Sequence, residues 1–167
     1  VTLLAGEPGV GKSTLVAQLA ASLAKTEASA YYVSGEESQG QIAMRLERLR
    51  LKPDNIAFSN TIEVANVIAS ARKLKPTILI VDSIQTALPQ DVDSMPGTPT
   101  AVRAATAQLI GFAKSTNIPV IIIGQVTKDG SVAGPKTLEH LVDTVLSLEG
   151  DKDSAYRILR ANKHRFG

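Results

Sequence analysis

The sequence has 167 residues, 44% hydrophobic and 20% charged, the composition of one globular domain with a substantial core. A formal charge of +2 is too small to argue for nucleic-acid binding by itself, and the lack of cysteine excludes a disulfide frame or a cysteine zinc site within these residues. No apolar stretch reaches membrane-spanning length and no secretory signal precedes the first apolar run, so the cytoplasm is the expected compartment.

The chain opens on the apolar run Thr2-Leu3-Leu4-Ala5, which reads as a strand. Directly after it, Gly6-Glu7-Pro8-Gly9-Val10-Gly11-Lys12-Ser13 meets the phosphate-binding pattern G-x-x-x-x-G-K-[ST] at every fixed position, and Thr14 leads into residues with helical spacing. A Gly-rich turn can be a mere tight connection, but strand, loop and helix here follow in the order the chemistry requires. Glycines let backbone N–H groups turn inward around phosphate oxygens, and the new helix points its positive end at them. Lys12 is placed to reach the terminal phosphates and Ser13 to join a magnesium shell. Gly6, Glu7, Pro8, Gly9, Val10, Gly11, Lys12, Ser13 and Thr14 are therefore the expected nucleotide cradle, for ATP or ADP with Mg2+.

The spacing predicts a first helix over residues 13–25, with Leu15, Leu19 and Leu23 on one face. Residues 30–34 read as a second strand, ending at Gly35-Glu36-Glu37-Ser38, and residues 39–50 as a helix with Ile42, Leu46 and Leu49 inward. A short strand at 56–58 precedes a helix that Thr61 would cap, with Glu63 in its first turn. Thr77-Ile78-Leu79-Ile80-Val81-Asp82 is the clearest buried strand. Residues 83–100, with Pro89, Pro96, Pro99 and Gly97, read as a long loop of the functional or mobile kind, before a helix near Ala101. Pro119 to Gly124 is another apolar strand, and residues 125–136 form a second polar loop. The last strands, 143–148 and 156–161, read as a hairpin across Gly150-Asp151-Lys152-Asp153.

Strands alternating with helices imply a mostly parallel twisted sheet wrapped on both faces, with antiparallel strands at the C-terminal end. Ligands of such sheets sit at the carboxyl ends of strands, where the phosphate loop, Glu36/Glu37, Asp82 and Gln125 should converge. Asp82 is the expected magnesium-shell carboxylate, with helix capping or turn formation as the plainer alternative. Glu36 is assigned as the base that orients the attacking water, and Glu37 is left for magnesium-shell or neighbour-subunit contacts. Both could instead be acids favouring a helix N-terminus. Gln125 could read the terminal phosphate, or equally be a polar residue of the following loop. Lys128 and Lys136 are candidates for following a nucleic-acid backbone, although loop lysines are more often solvated. Arg45 and Arg48 could lie against a base but read more readily as a solvated helix face. His140 and His164 lack metal-ligand companions.

Several of these stretches together resemble the RadA (Sms) family of RecA-like DNA-repair ATPases. The resemblance rests on Gly6 to Ser13, Tyr32-Val33-Ser34-Gly35-Glu36-Glu37-Ser38, Val81-Asp82-Ser83-Ile84-Gln85-Thr86, and Ala133-Gly134-Pro135 leading to Leu138-Glu139-His140-Leu141-Val142-Asp143. Its most specific part is Lys163-His164-Arg165-Phe166-Gly167, similar to the family's K-N-R-F-G signature. His164 departs from the usual Asn, and Gln125 from the usual His of G-H-V-T-K, although Gln at that place is similar to the phosphate-sensing glutamine of RecA.

The resemblance implies a RecA-like P-loop NTPase core cut from a longer protein, without the family's four-cysteine zinc module and Lon-like domain. It implies ATP hydrolysis in a hexameric ring on single-stranded DNA, driving branch migration in recombination and repair, with a recombinase as a further partner. Lys163 and Arg165 would then act in trans as a cationic finger on a neighbour's terminal phosphate; the plainer alternative is a basic strand end touching solvent or DNA phosphates. The rival readings are another RecA-like ring ATPase, of the replicative-helicase or clock-protein type, and a nucleotide-dependent assembly switch.

Overall fold

The structure is a computed structural model, described here over residues 1–23, 28–52, 54–126, 135–150 and 156–165, with Pro135 and Lys136 described by backbone only. Twelve elements follow in chain order: β1 (Thr2–Gly6), α1 (Lys12–Leu23), β2 (Ala30–Ser34), α2 (Gln39–Arg48), β3 (Ile56–Ser59), α3 (Val64–Leu74), β4 (Ile78–Asp82), α4 (Pro99–Thr116), β5 (Val120–Gln125), α5 (Pro135–Leu138), β6 (Thr144–Gly150) and β7 (Arg157–His164). The strands form one seven-stranded sheet in the order β3-β2-β4-β5-β1-β6-β7. Every neighbouring pair is parallel except β6 with β7. The predicted hairpin is therefore real, but its first strand extends the parallel sheet and only its second runs against it.

Period-two alternation sends side chains to two cores. Leu3, Tyr31, Val33, Leu79, Val81 and Ile122 meet Val67, Ala71, Leu109 and Phe112 of α3 and α4 on one face. Leu4, Tyr32, Ile80 and Ile123 meet Val16, Ala20, Ile42 and Leu46 of α1 and α2 on the other. Buried on both faces, the central strands must be apolar throughout, as the runs in β4 and β5 are.

Three local expectations are corrected. In α1 the buried stripe is Val16, Ala17, Ala20 and Ala21, and Leu19 remains 39% exposed. The small side chains let the helix lie close to the sheet beneath the phosphate loop, and the leucines sit at its margin. The helix before Ala71 starts at Val64 with Glu63 as its N-cap residue, and the Thr61 hydroxyl donates to Glu63 at 2.8 Å instead of capping. Finally, α4 begins at Pro99, with the Thr98 hydroxyl accepting from Ala101 N–H, so the helix takes two residues from the predicted loop. Proline suits a first helical position because its missing N–H would have no partner there anyway.

What remains of that loop is pinned rather than free. Leu88 bridges to Glu63, its N–H donating to Ile62 O at 2.7 Å, and Gln90 exchanges two hydrogen bonds with Gln108 of α4. Among the described residues no helix is long and apolar enough to cross a membrane.

Candidate active site

The carboxyl ends of β1, β2, β4 and β5 lie side by side. In β1 the chain leaves Gly6 and turns through Gly9 (φ 78°) and Gly11 (φ 110°), left-handed conformations that glycine adopts without steric cost, and enters α1 at Lys12. Gly6 is fixed for another reason: a Cβ there would stand 2.5 Å from the Leu148 carbonyl oxygen of β6. Lys12 is 6% exposed and folds back, its ammonium donating to the carbonyls of Gly6 and Glu7 at 2.8 Å each. Burial holds its pKa below the ordinary lysine value, against the opposing pull of the nearby Asp82 and Glu36 carboxylates.

Asp82 ends β4 at 4% exposure. Burial pushes its carboxyl above the usual range, while hydrogen bonds from Ser13 and Tyr32 favour the ionised form and the charges of Glu36 and Glu37 oppose it. Tyr32 donates to Asp82 Oδ2 at 2.8 Å, and its phenol is raised by the same burial and by Asp82. The donor set suits magnesium. One buried carboxylate and one adjacent hydroxyl are all-oxygen ligands of the kind that cation takes together with nucleotide phosphates. No group of three His, Cys, Asp or Glu fit to hold a metal by itself occurs among the described residues.

The two acids after β2 receive different surroundings. Ser34 Oγ accepts from the Glu36 and Glu37 N–H groups at 3.3 and 3.0 Å, and Asn60 Nδ2 donates to Ser34 O and Glu37 O. This side-chain turn places both acids before Ser38, the true N-cap of α2, whose capping box with Gln41 leaves no acid in the first helical turn. Glu36 reaches across to the next strand ends. Its Oε1 accepts from Ser83 Oγ at 2.6 Å, and Gln125 Nε2 lies 2.9 and 3.2 Å from its two oxygens. Glu37 instead pairs with Arg45 through both guanidinium nitrogens. That pair, half-buried at 18% and 25% side-chain exposure, replaces the expected solvated helix face for Arg45.

These groups share one cleft of about 310 Å³, lined by Gly9, Lys12, Ser13, Thr14, Glu36, Asp82 and Gln125 among others. Sequence reasoning missed three of its members or supports. Ser83 and Tyr32 gain their roles only from strand register, which sets β2 beside β4. The Arg45 position was legible from helical spacing, but its partner was not.

The remaining expected residues lie elsewhere. Lys163 pairs across β6 with Val145, which stands level with Leu3. That is three residues short of Gly6, about 10 Å down the strand. Lys163 and Arg165 thus occupy the amino ends of the parallel strands, away from their own phosphate loop. There Lys163 Nζ donates to Glu139 O and Val142 O at 2.5 and 2.9 Å, and Arg165 meets Asp143 at 3.2 Å. Lys128 lies outside the described residues, as does the side chain of Lys136 in α5.

A phosphate loop at the end of a central strand, with a buried carboxylate one strand beyond its neighbour, is the arrangement of the RecA-like P-loop ATPase class. A family model described as an AAA domain matches residues 1–131, and the chain belongs to that family. Within it, the chain aligns along its whole length with the RecA-like core region of curated proteins called DNA repair protein RadA. Identity is 44% to the protein of Pseudomonas aeruginosa and 43% to that of Bacillus subtilis over 167 residues, and 46% to that of Mycobacterium tuberculosis over 169. The chain spans 37%, 36% and 35% of their respective lengths. Among solved structures it is similar to the ATPase domain of G40P (TM-score 0.79, 17% identity), covering 99% of this chain and 77% of that one. It is also similar to a DnaB-like replicative helicase studied with primase (TM-score 0.79, 16% identity), covering 99% and 52%. At such identities the likeness is one of fold.

Proposed function

We propose that this chain is the ATP-hydrolysing core of a DNA motor for recombination and repair, acting as a hexameric ring in the cytoplasm that drives branch migration on single-stranded DNA beside a recombinase partner. The observation that carries the chemistry is the convergence of Lys12, Ser13, Asp82, Glu36 and Gln125 on one cleft. The relatives' name supports the DNA-repair setting. ATP would lay its phosphates against the N–H groups of Gly9 to Ser13, with Lys12 exchanging its carbonyl partners for phosphate oxygens. Ser13 and Asp82 would hold Mg2+, which supplies charge neutralisation on the phosphates when bound. Glu36 orients the attacking water and takes its proton.

Gln125 links this chemistry to DNA. Its amide holds Glu36, and in the sequence its strand is followed by Lys128 and Lys136, the proposed backbone contacts. Arrival of a terminal phosphate gives the Gln125 amide a second partner, and the loop answers to nucleotide state. Lys163 and Arg165 complete the site of a neighbouring subunit in trans.

The test is ATP turnover with and without single-stranded DNA, at several protein concentrations and two salt concentrations, with Lys12→Ala as the inactive control. Stimulation that grows with protein concentration and fades with salt is expected of a DNA-activated oligomer. Turnover in Lys12→Ala equal to wild type would overturn the reading.

A further inference from the structure

Tyr32 lies in the middle of β2, 1% exposed, with its ring stacked on Phe58 of β3 at a centroid distance of 6.2 Å. The register pairs Tyr32 with Ile80, two residues before Asp82 on β4, so both side chains emerge on the α1/α2 face. The phenol spans that offset along the sheet and donates to Asp82 Oδ2 at 2.8 Å. A tyrosine of this kind can be a core ring whose hydroxyl merely finds a partner. What sets it apart is where the partner sits. Tyr32 donates to Asp82 across the sheet, while Ser13, which lines the same cleft, is the residue assigned to the metal. With the serine hydroxyl on a cation, Tyr32 is the side-chain donor that fixes the carboxylate.

We infer that Tyr32 is a positioning residue for magnesium: by holding Asp82 Oδ2 it keeps the other carboxylate oxygen presented to the metal shell of a bound nucleotide. This rests on the reading of Asp82 and Ser13 given above. It adds a residue of the apolar core, outside the phosphate loop, that acts on metal affinity and not on nucleotide affinity. Outer-shell partners of ligating carboxylates commonly contribute tenfold or more to metal affinity, because a free carboxylate rotates away from the geometry the metal requires.

Tyr32→Phe removes one oxygen and leaves the stacked ring in place. ADP binding by the full chain is measured by calorimetry, first in EDTA and then over a magnesium titration, with Mn2+ binding to the protein–ADP complex followed by electron paramagnetic resonance. In EDTA the variant should bind ADP within about twofold of wild type, which also shows that it is folded. Its magnesium midpoint should rise roughly tenfold, and its Mn2+ affinity should fall by a similar factor. In an Asp82→Asn background the same substitution should change neither.

A magnesium midpoint equal to wild type, in a wild type whose magnesium response depends on Asp82, overturns the role of Tyr32 and leaves the active-site reading standing. A wild type whose ADP affinity ignores magnesium, or whose response survives Asp82→Asn, overturns both.

Discussion

Adjacent carboxylates can have opposite duties when their partners differ, and Glu36 and Glu37 are such a case. Glu36 faces Ser83 and Gln125 at the mouth of the cleft, whereas both oxygens of Glu37 are engaged by Arg45. We propose the first as the one that polarises a water, because its partners are neutral whereas Glu37 is committed to a guanidinium. Glu36→Gln is expected to retain ATP binding and lose about 10²–10⁴-fold in single-turnover hydrolysis, the usual contribution of a general base. Glu37→Gln should cost far less in rate, and its effect should fall on stability through loss of the half-buried Arg45 pair. Equal rate losses in the two variants would return the base assignment to the open choice between them.

Asp82 permits a second prediction, from sign alone. Its folded pKa is raised, chiefly by burial, so between the unfolded and folded values the folded chain carries the extra proton. Its contribution to stability is therefore full below the unfolded carboxylate value and is lost as pH rises through the folded one. Comparing wild type with Asp82→Asn by urea denaturation, without nucleotide and in EDTA, isolates this contribution. From about pH 4 upward the wild type should lose stability relative to the variant. A difference that does not change with pH would contradict the burial cost.

Elements carry these residues to each other, and their close approach is written in one glycine. Gly35 N–H donates to Asp82 O at 3.0 Å, and a Cβ on Gly35 would stand 2.3 Å from Thr86 Oγ1 and 2.7 Å from Thr86 Cβ. The turn after β2 therefore lies directly on the turn after β4. Gly35→Ala must part them, at a cost of about 1–3 kcal/mol in stability, and should lower the rate more than the affinity because Glu36 moves with its turn. Thr86→Ala in the same chain should recover part of both losses. Full activity of Gly35→Ala would show that the two ends need not touch.

Much of this geometry was legible: apolar strand runs ending in polar residues marked the four converging strand ends, and rules for parallel sheets put them on one side. The failures share a cause. The leucine spacing of residues 15–23 marks an apolar stripe, but the buried stripe of α1 is set by how near the helix must come to β1, which favours Val16, Ala17 and Ala20. The prolines of residues 83–100 signal irregular backbone, yet not that Leu88 and Gln90 bind it to α3 and α4. Register between distant strands likewise has no local signature, so the pairing of Tyr32 with Asp82 could not be read from either segment.

At the scale of the whole molecule, the sheet separates two sets of charged residues that the proposed chemistry must unite. Lys12, Asp82 and Glu36 stand at the carboxyl edge, and Lys163 and Arg165 at the amino edge of the same sheet. No rotamer closes that gap within one subunit, so Lys163 either serves a neighbour or anchors β7 to the turn before β6 through Glu139 O and Val142 O. The two roles predict different measurements. An anchor alone makes Lys163→Ala melt lower, by the loss of charge-assisted hydrogen bonds worth on the order of 1–3 kcal/mol, and leaves it inactive only in so far as it unfolds. A shared site makes Lys163→Ala bind ATP normally as a folded chain and fail in turnover. Mixed with Lys12→Ala, which keeps its own Lys163 but holds no nucleotide, it should then regain turnover, because each rescued site takes its loop from one variant and its cation from the other. The recovery should peak at intermediate ratios and grow with total concentration, as assembly requires. A folded Lys163→Ala chain that no proportion of Lys12→Ala revives would assign Lys163 to the anchor, and the proposed ring would then need its trans-acting charge from elsewhere.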